Sequence, residues 1–383
     1  MKTKQFFLLS MCLLFAATSL QAQTDNPPVG DVYKTLYREI DGIFYKLRGD
    51  EAKVFERFND YKLYFDDIVI PPTVTYQGVE YTVTSIGNNA FYGSYGMTSV
   101  EIPNTVTSIG TSAFAGCIGL RSIVFPESVV SIHDMAFTSC TGLSSIYIPK
   151  SVTYIGESTF NSCSCLTSIK VEDGNPVYDS RNDCNAIIIS ATNTLIVGSE
   201  NTIIPNTVTT IMACAFSYRR FLTSIEIPNS VKTIEAAFFG SSLYTISLPA
   251  SVKSIGAMAF QSCPYLTSVS ILGSDVYIGD EAFSYCRNLK SFTIFATEPP
   301  KISDYTFIGS PEDMTLHVLP GCEEAYANAE NWSRFNIVGD AQMTNIEALD
   351  VITSSETYDL LGRPVDDGYK GIAIRNGKKI IIK

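Results

Sequence analysis

Histidine is nearly missing from this chain, with only His133 and His317 among 383 residues. So few imidazoles leave His-rich catalytic zinc sites and His-dependent nucleophile triads almost nothing to draw on. Basic residues are also in short supply, 27 Lys and Arg against 39 Asp and Glu, for a formal charge of −12. Proteins that track phosphates need the opposite balance, so nucleic acid is excluded as a partner. Beyond the first residues no segment offers the ~18 consecutive apolar residues that a spanning helix requires. Tryptophan occurs once, as Trp332. Apolar residues make up 45% of the chain and aromatics 11%, a composition that excludes disorder.

The first residues read as an address. Lys2 and Lys4 precede an apolar stretch from Phe6 to Ala17, and small or polar residues follow around Ala22. This is the layout of a secretory signal peptide, assigned to residues 1–22. Its removal takes away two lysines and no acid, leaving 25 − 39 = −14. Cys12 sits inside the apolar run, too early for lipid attachment.

The chain repeats itself every 23 residues. Phenylalanines recur at Phe91, Phe114, Phe137, Phe160, Phe216, Phe239, Phe260, Phe283 and Phe307, and the single long interval, 56, carries 33 extra residues between Glu172 and Pro205. Each unit reads L-x-S-I-x-I-P-x-S-V-x-x-I-G-x-x-A-F-x-x-C, cleanest at Leu143, Ser145, Ile146, Ile148, Pro149, Ser151, Val152, Ile155, Gly156, Phe160 and Cys163. Alternation at Leu143, Ile146 and Ile148 gives a short strand with one face inward, which Pro149 ends by removing a donor. Such a unit buries its open faces only by stacking on its neighbours. The expected fold is therefore a repeat solenoid: a leucine-rich-repeat right-handed superhelix of short parallel strands over 76–319, with a hairpin N-terminal cap and a short helical C-terminal cap.

Both ends of a solenoid need covering, because a terminal coil exposes apolar surface and an unpaired edge. Residues 27–75, with Asp41-Gly42 at a hairpin turn, suit the first end. Residues 320–338, with a helix-favouring run from Cys322 to Ala329 and the lone Trp332 as packing, suit the second. The inserted segment 173–204 holds two apolar runs, Ala186 to Ile189 and Leu195 to Val197, and reads as a hairpin. Two outcomes are open for it: a projection that carries recognition, or a hairpin packed on its coil.

Chemistry is hard to find. Cys117, Cys140, Cys163, Cys263 and Cys286 each follow a repeat phenylalanine by three residues. They form a ladder expected to consist of free buried thiols, because parallel side-chain vectors fit disulfide geometry poorly. No second close cysteine pair completes a metal site, and the two histidines read as structural. Catalytic residues, metal and cofactors are all assigned as none, and paired acids such as Asp66-Asp67 and Asp366-Asp367 fit turns or solvated faces. What remains is surface. The outward position of the leading strand varies down the stack as Glu101, Val124, Tyr147, Lys170, Glu226, Ser247, Ser270 and Thr293, beside a hydroxyl row from Ser99 to Ser291. If these strands line the concave side, they form a broad polar face suited to extended partners. Glu101, Tyr147, Lys170 and Glu226 are its candidate binding residues, although outward residues are also free to vary without function.

The quoted unit resembles the BspA-like, or treponemal-type, leucine-rich repeat over residues ~68–320. It lapses at His133, Met212 and Glu235, which replace Gly, and at Thr159, which replaces Ala. The resemblance implies an exported bacterial surface protein that adheres to host extracellular-matrix or plasma proteins or to other bacteria; the lack of a catalytic pattern makes it non-enzymatic, and the alternatives are a structural envelope component without a specific soluble partner and a hydrolase with its site in the insertion. Glycan is a further partner class, and the location implied is the cell surface or medium, with the periplasm as alternative. The family supplies no binding motif to transfer. After a linker at 339–348, the segment 349–383, with Thr357 to Arg363 and Gly371 to Lys379, is similar to the C-terminal sorting signal of type IX secretion and reads as two short strands.

Overall fold

The computed structural model describes residues 35–56 and 63–341, together with the backbone of four short strands between 357 and 382. The signal peptide at 1–22 and most of the 339–348 linker lie outside the described residues.

The chain opens on an antiparallel hairpin, Leu36–Ile40 with Ile43–Arg48. Asp41 and Gly42 turn it with φ of 49° and 82°, the left-handed pair that matches strand twist in a two-residue loop. Glu51–Val54 pairs antiparallel with Ile43–Arg48 and parallel with Val79–Ile86, passing the sheet from cap to repeats.

The coils stack through three sides. Where a leading strand forms it lies in register with the next, as Ser145–Ile148 does with Ser168–Val171 through Ile146↔Ile169 and Tyr147↔Lys170; the coils of Val124, Ile203 and Glu226 form none. The second strand of a coil is two residues long, and Ser85-Ile86, Ser108–Ile109, Ser131–Ile132 and Tyr154–Ile155 pair in succession. The third side has no strand. There, alternate N–H groups donate to carbonyls of the following coil, as from Ser112 to Asp134 (3.0 Å), Phe114 to Ala136 (2.8 Å) and Gly116 to Thr138 (2.8 Å). The outer two of these residues take φ of 54° and 75°. Positive φ recurs at these two positions down the stack, on Asn89, Ser158, Gly93 and Ser262 but also on Met135, Cys214, Glu281 and Tyr285, so the left-handed turn is imposed by the coil even where the side chain does not favour it.

The phenylalanines form a column inside the stack. Phe91, Phe114, Phe137 and Phe160 stack at centroid separations of 5.0, 5.1 and 5.5 Å. After the insertion, the column resumes with Phe216, Phe238, Phe260, Phe283 and Phe307 at 5.0, 5.1, 5.3 and 5.6 Å. The 23-residue count placed Phe239 in this column, and that is corrected: Phe238 fills it, while Phe239 meets Tyr218 edge-on at 5.2 Å. This coil lost one residue on each side of its ring, so the intervals from Phe216 to Phe260 are 22 and 22 rather than 23 and 21.

The cysteine ladder is made of free thiols. Each S–H donates to the carbonyl of the preceding coil's column residue: Cys117 to Phe91 (3.2 Å), Cys140 to Phe114 (3.1 Å), Cys163 to Phe137 (3.2 Å), Cys263 to Phe238 (3.2 Å) and Cys286 to Phe260 (3.0 Å). Ser310 does the same to Phe283 (2.7 Å), so the position selects a small donor rather than sulfur chemistry. Burial pushes the Cys117 thiol up to about 12 and the Cys163 thiol up to about 11. A thiol reagent at pH 8 is therefore expected to label Cys165 rapidly, the one exposed cysteine of the nine described. The five ladder thiols should react only after denaturation. Rapid labelling of Cys140 in the native protein would contradict this packing.

The insertion does not project. Ala186–Ile189 and Thr194–Gly198 are antiparallel partners, most of their residues are buried, and Thr194–Leu195 takes the second-strand position against Thr210–Ile211. Of the two outcomes left open, the packed one holds, and more deeply than expected, because the hairpin replaces part of a coil. Gly198 stands where a column phenylalanine belongs, since its N–H donates to Ala215 O (2.9 Å). A Cβ there would lie 2.1 Å from the Phe216 ring. The core divides at this seam into two clusters, one running to Val197 and the other starting at Cys184.

At the far end Glu323–Ala327 forms the short helix. Trp332 is buried, donates from Nε1 to Pro300 O (2.8 Å) and meets Phe307 at 5.8 Å, which makes it the packing residue expected. The tail differs from the two strands expected. Thr357–Asp359, Pro364–Val365, Gly371–Arg375 and Lys378–Ile382 form one antiparallel sheet of four.

Candidate binding face

Alternation on the leading strand sends Ile146 and Ile148 inward and leaves Tyr147 outward, where it is 45% exposed. The parallel register then sets Lys170 beside Tyr147. Glu101 ends the strand Gly96–Glu101, registered with Val69, and is separated from Tyr147 by the coil of Val124. Glu226 does not join them. Its coil lies beyond the insertion, whose Ser180 and Asn185 side chains accept hydrogen bonds from the Val171 and Ile169 N–H groups at the edge of the Lys170 strand (3.0 and 2.5 Å).

The candidate face is thus three residues in the N-terminal half and one in the other. Apolar members add to it. Val124 and Ile203 are each 77% exposed, and Ile203 precedes Ile204-Pro205 as Glu226 precedes Ile227-Pro228. Ile203 escaped the sequence reading because it falls at the end of the inserted segment 173–204, where the leading Leu-x-Ser is missing. The Ile-Pro pair before Val208 was the available signal.

Charge is uneven around Tyr147. Its phenol is pushed above the usual range by loss of hydration and by Glu172, Glu127 and Asp173, with Lys150 opposing. The Lys150 N–H donates to the Glu172 carboxylate (2.8 Å) and holds it below the usual range. Toward the N-terminal end, Ser99 and Thr98 donate to Asp67 at 2.6 and 2.8 Å. The hydroxyls that bind coil to coil lie one residue earlier than the expected row: Ser144 donates to Arg121 O, Thr167 to Ser144 O and Thr267 to Tyr244 O. Among the described residues, the hydroxyls of Ser145, Ser168, Ser268 and Ser291 remain available to a partner.

His133 packs against Tyr154 at 5.3 Å, and His317 meets Asp340 at 2.7 Å. Among the described residues no group of three His, Cys, Asp or Glu side chains converges to hold a metal. No helix among them is long and apolar enough to cross a membrane.

Stacked coils with a one-residue-wide outward row define a solenoid repeat protein that offers an extended surface. The family description "BspA type Leucine rich repeat region" matches residues 82–184 and 197–312 in six copies, and the chain belongs to that family. The unmatched gap falls on the inserted hairpin. Among solved structures, a leucine-rich cell surface protein from Faecalibacterium prausnitzii is similar at 20% identity and a TM-score of 0.50, over 84% of this chain and 100% of that one. The pneumococcal vaccine antigen PcpA is similar at 19% identity and 0.49, over 80% and 99%. A leucine-rich repeat protein from Bacteroides ovatus is similar at 23% identity and 0.47, over 81% of each chain. No curated protein matches.

Proposed function

We propose that this chain is an exported, non-enzymatic surface protein that mediates protein–protein or cell adhesion, its partner a host matrix or plasma protein or another bacterial surface. The observation that carries the reading is the outward row of the N-terminal half, where Val124, Tyr147 and Lys170 are exposed on consecutive coils. Tyr147 and Lys170 sit on paired strands and Val124 on the neighbouring coil, which reaches them through the Ser122–Ser145 bridge; aromatic, aliphatic and cationic groups of this kind supply the anchors that dominate protein interfaces. Membership of a family whose relatives include a cell-surface protein supports export.

The full chain should bind saturably to at least one member of a panel of matrix and plasma proteins. Tyr147→Ala with Lys170→Glu should weaken that binding by about tenfold or more, with an unchanged melting temperature because both side chains are exposed. An envelope component without a soluble partner would bind nothing on the panel, and this result would overturn the proposal. Deleting 173–204 is unsuitable as a test, because the hairpin lies in the core.

A further inference from the structure

In the C-terminal half the chain turns a corner between each column ring and the following leading strand. Four successive corners read Arg220 to Thr223, Ser241 to Tyr244, Pro264 to Thr267 and Arg287 to Lys290. Their leucines, Leu222, Leu243, Leu266 and Leu289, are buried, whereas Phe221, Tyr244 and Tyr265 are 62%, 47% and 50% exposed. Tyr244 and Tyr265 lie 5.7 Å apart, tilted by 37°. Neither phenol hydroxyl is bonded among the described residues.

Backbone bonds hold this surface in line: Tyr244 N–H donates to Thr223 O (3.1 Å), Thr267 to Tyr244 O (2.8 Å) and Lys290 to Thr267 O (2.9 Å). Lys290 therefore stands two coils from Tyr244, about 10 Å at ordinary strand spacing. Asn288 Nδ2 donates to Pro264 O (2.6 Å), tying the corner of Arg287 to that of Tyr265.

The charge of these corners runs against the rest of the molecule. Arg220, Arg287 and Lys290 are exposed and none of the four corners contains a carboxylate, in a chain of net charge −12. A local cationic field of this kind selects an anionic ligand. The rings refine the choice. Apart from Pro264, no exposed aliphatic side chain accompanies them, so the surface lacks the dry apolar core of a protein hot spot. It offers flat faces at roughly one per coil, phenol hydroxyls and guanidinium forks, which match the apolar faces, hydroxyl edges and carboxylates of a uronic-acid chain.

We propose that these corners form a second binding surface, separate from the Tyr147–Lys170 face, whose ligand is an acidic glycan: sugar rings lie on Phe221, Tyr244 and Tyr265 while Arg220, Arg287 and Lys290 take their carboxylates. The test is affinity electrophoresis of the full chain in gels containing polygalacturonate, neutral amylose or poly-glutamate. Retardation by polygalacturonate is expected, weakening as salt rises. Tyr244→Ala with Tyr265→Ala should reduce it by about tenfold. Arg287→Gln with Lys290→Gln should reduce it similarly and flatten the salt dependence, while Tyr154→Ala, on the second strand of the other half, leaves it unchanged. No retardation by polygalacturonate at low salt would overturn the proposal. So would equal retardation by amylose, or poly-glutamate binding that is indifferent to the tyrosine variants, which would mark a surface for acidic peptides.

Discussion

Replacing Arg219 with alanine is expected to destabilise the chain by about 3–5 kcal/mol, most of it from orphaned buried carbonyls at about 1–3 kcal/mol each. Arg219 holds the cysteine position of its coil, three residues after Phe216, and is buried. Its Nε donates to Gly198 O (2.8 Å), the same bond a ladder thiol makes to its preceding column residue. Because Gly198 brings no ring, the guanidinium passes beyond it and donates from Nη1 to Cys163 O (2.7 Å) and from Nη2 toward Phe160 O (3.4 Å). One side chain thus ties the coils on both sides of the insertion, where the apolar core is itself divided. Burial pulls the guanidinium below its usual value, opposed by Cys163, Cys214 and Glu200, so the contact is costly and lysine, without the fork, cannot reproduce it.

The expected signature is a loss of cooperativity as well as of stability. Solenoid stability is a sum of coils and nearest-neighbour interfaces, so weakening one interface lets the flanking blocks unfold apart. Trp332, the sole tryptophan, lies in the C-terminal block and its fluorescence reports that block alone. In urea, fluorescence and far-UV circular dichroism should coincide for the unaltered repeats and separate for Arg219→Ala. Coincident curves with an unchanged midpoint would show that Arg219 does not join the halves.

How far the sequence could be read depended on whether a residue's role repeats. The column, the thiol ladder and the Tyr147–Lys170 pairing were legible because each recurs at fixed spacing and each coil obeys the same packing constraint. The hairpin cap was legible from Asp41-Gly42, whose backbone demand is local. Arg219 was not. It compensates for a ring missing at Gly198, 21 residues earlier, and nothing in the periodicity links a basic residue at the cysteine position to a glycine on the far side of a hairpin. The fate of the insertion was hidden for the same reason, since alternating apolar runs fit a projecting hairpin as well as one inside a core. The basic and aromatic corners were missed because an outward position carries no packing constraint and their residues differ from coil to coil.

The adjacent pair Phe238 and Phe239 separates the two ways of counting the repeat, and the second large effect is expected there. Phe238→Ala should cost about 3–5 kcal/mol, the usual range for emptying a ring-sized volume in a packed core. The ring is buried between Phe216 at 5.0 Å and Phe260 at 5.1 Å, almost parallel to both at 3° and 2°, and its carbonyl accepts the Cys263 thiol. Phe239 is partly exposed and rests edge-on against Tyr218, so Phe239→Ala should cost no more than about 1 kcal/mol, the scale of one aromatic pair. A strict 23-residue count predicts the reverse order. Urea midpoints of the two variants decide between them: a deletion inside one coil is absorbed by shortening the turns on either side of the ring, because moving the ring out of the column would open a void that no surface contact at Tyr218 offsets.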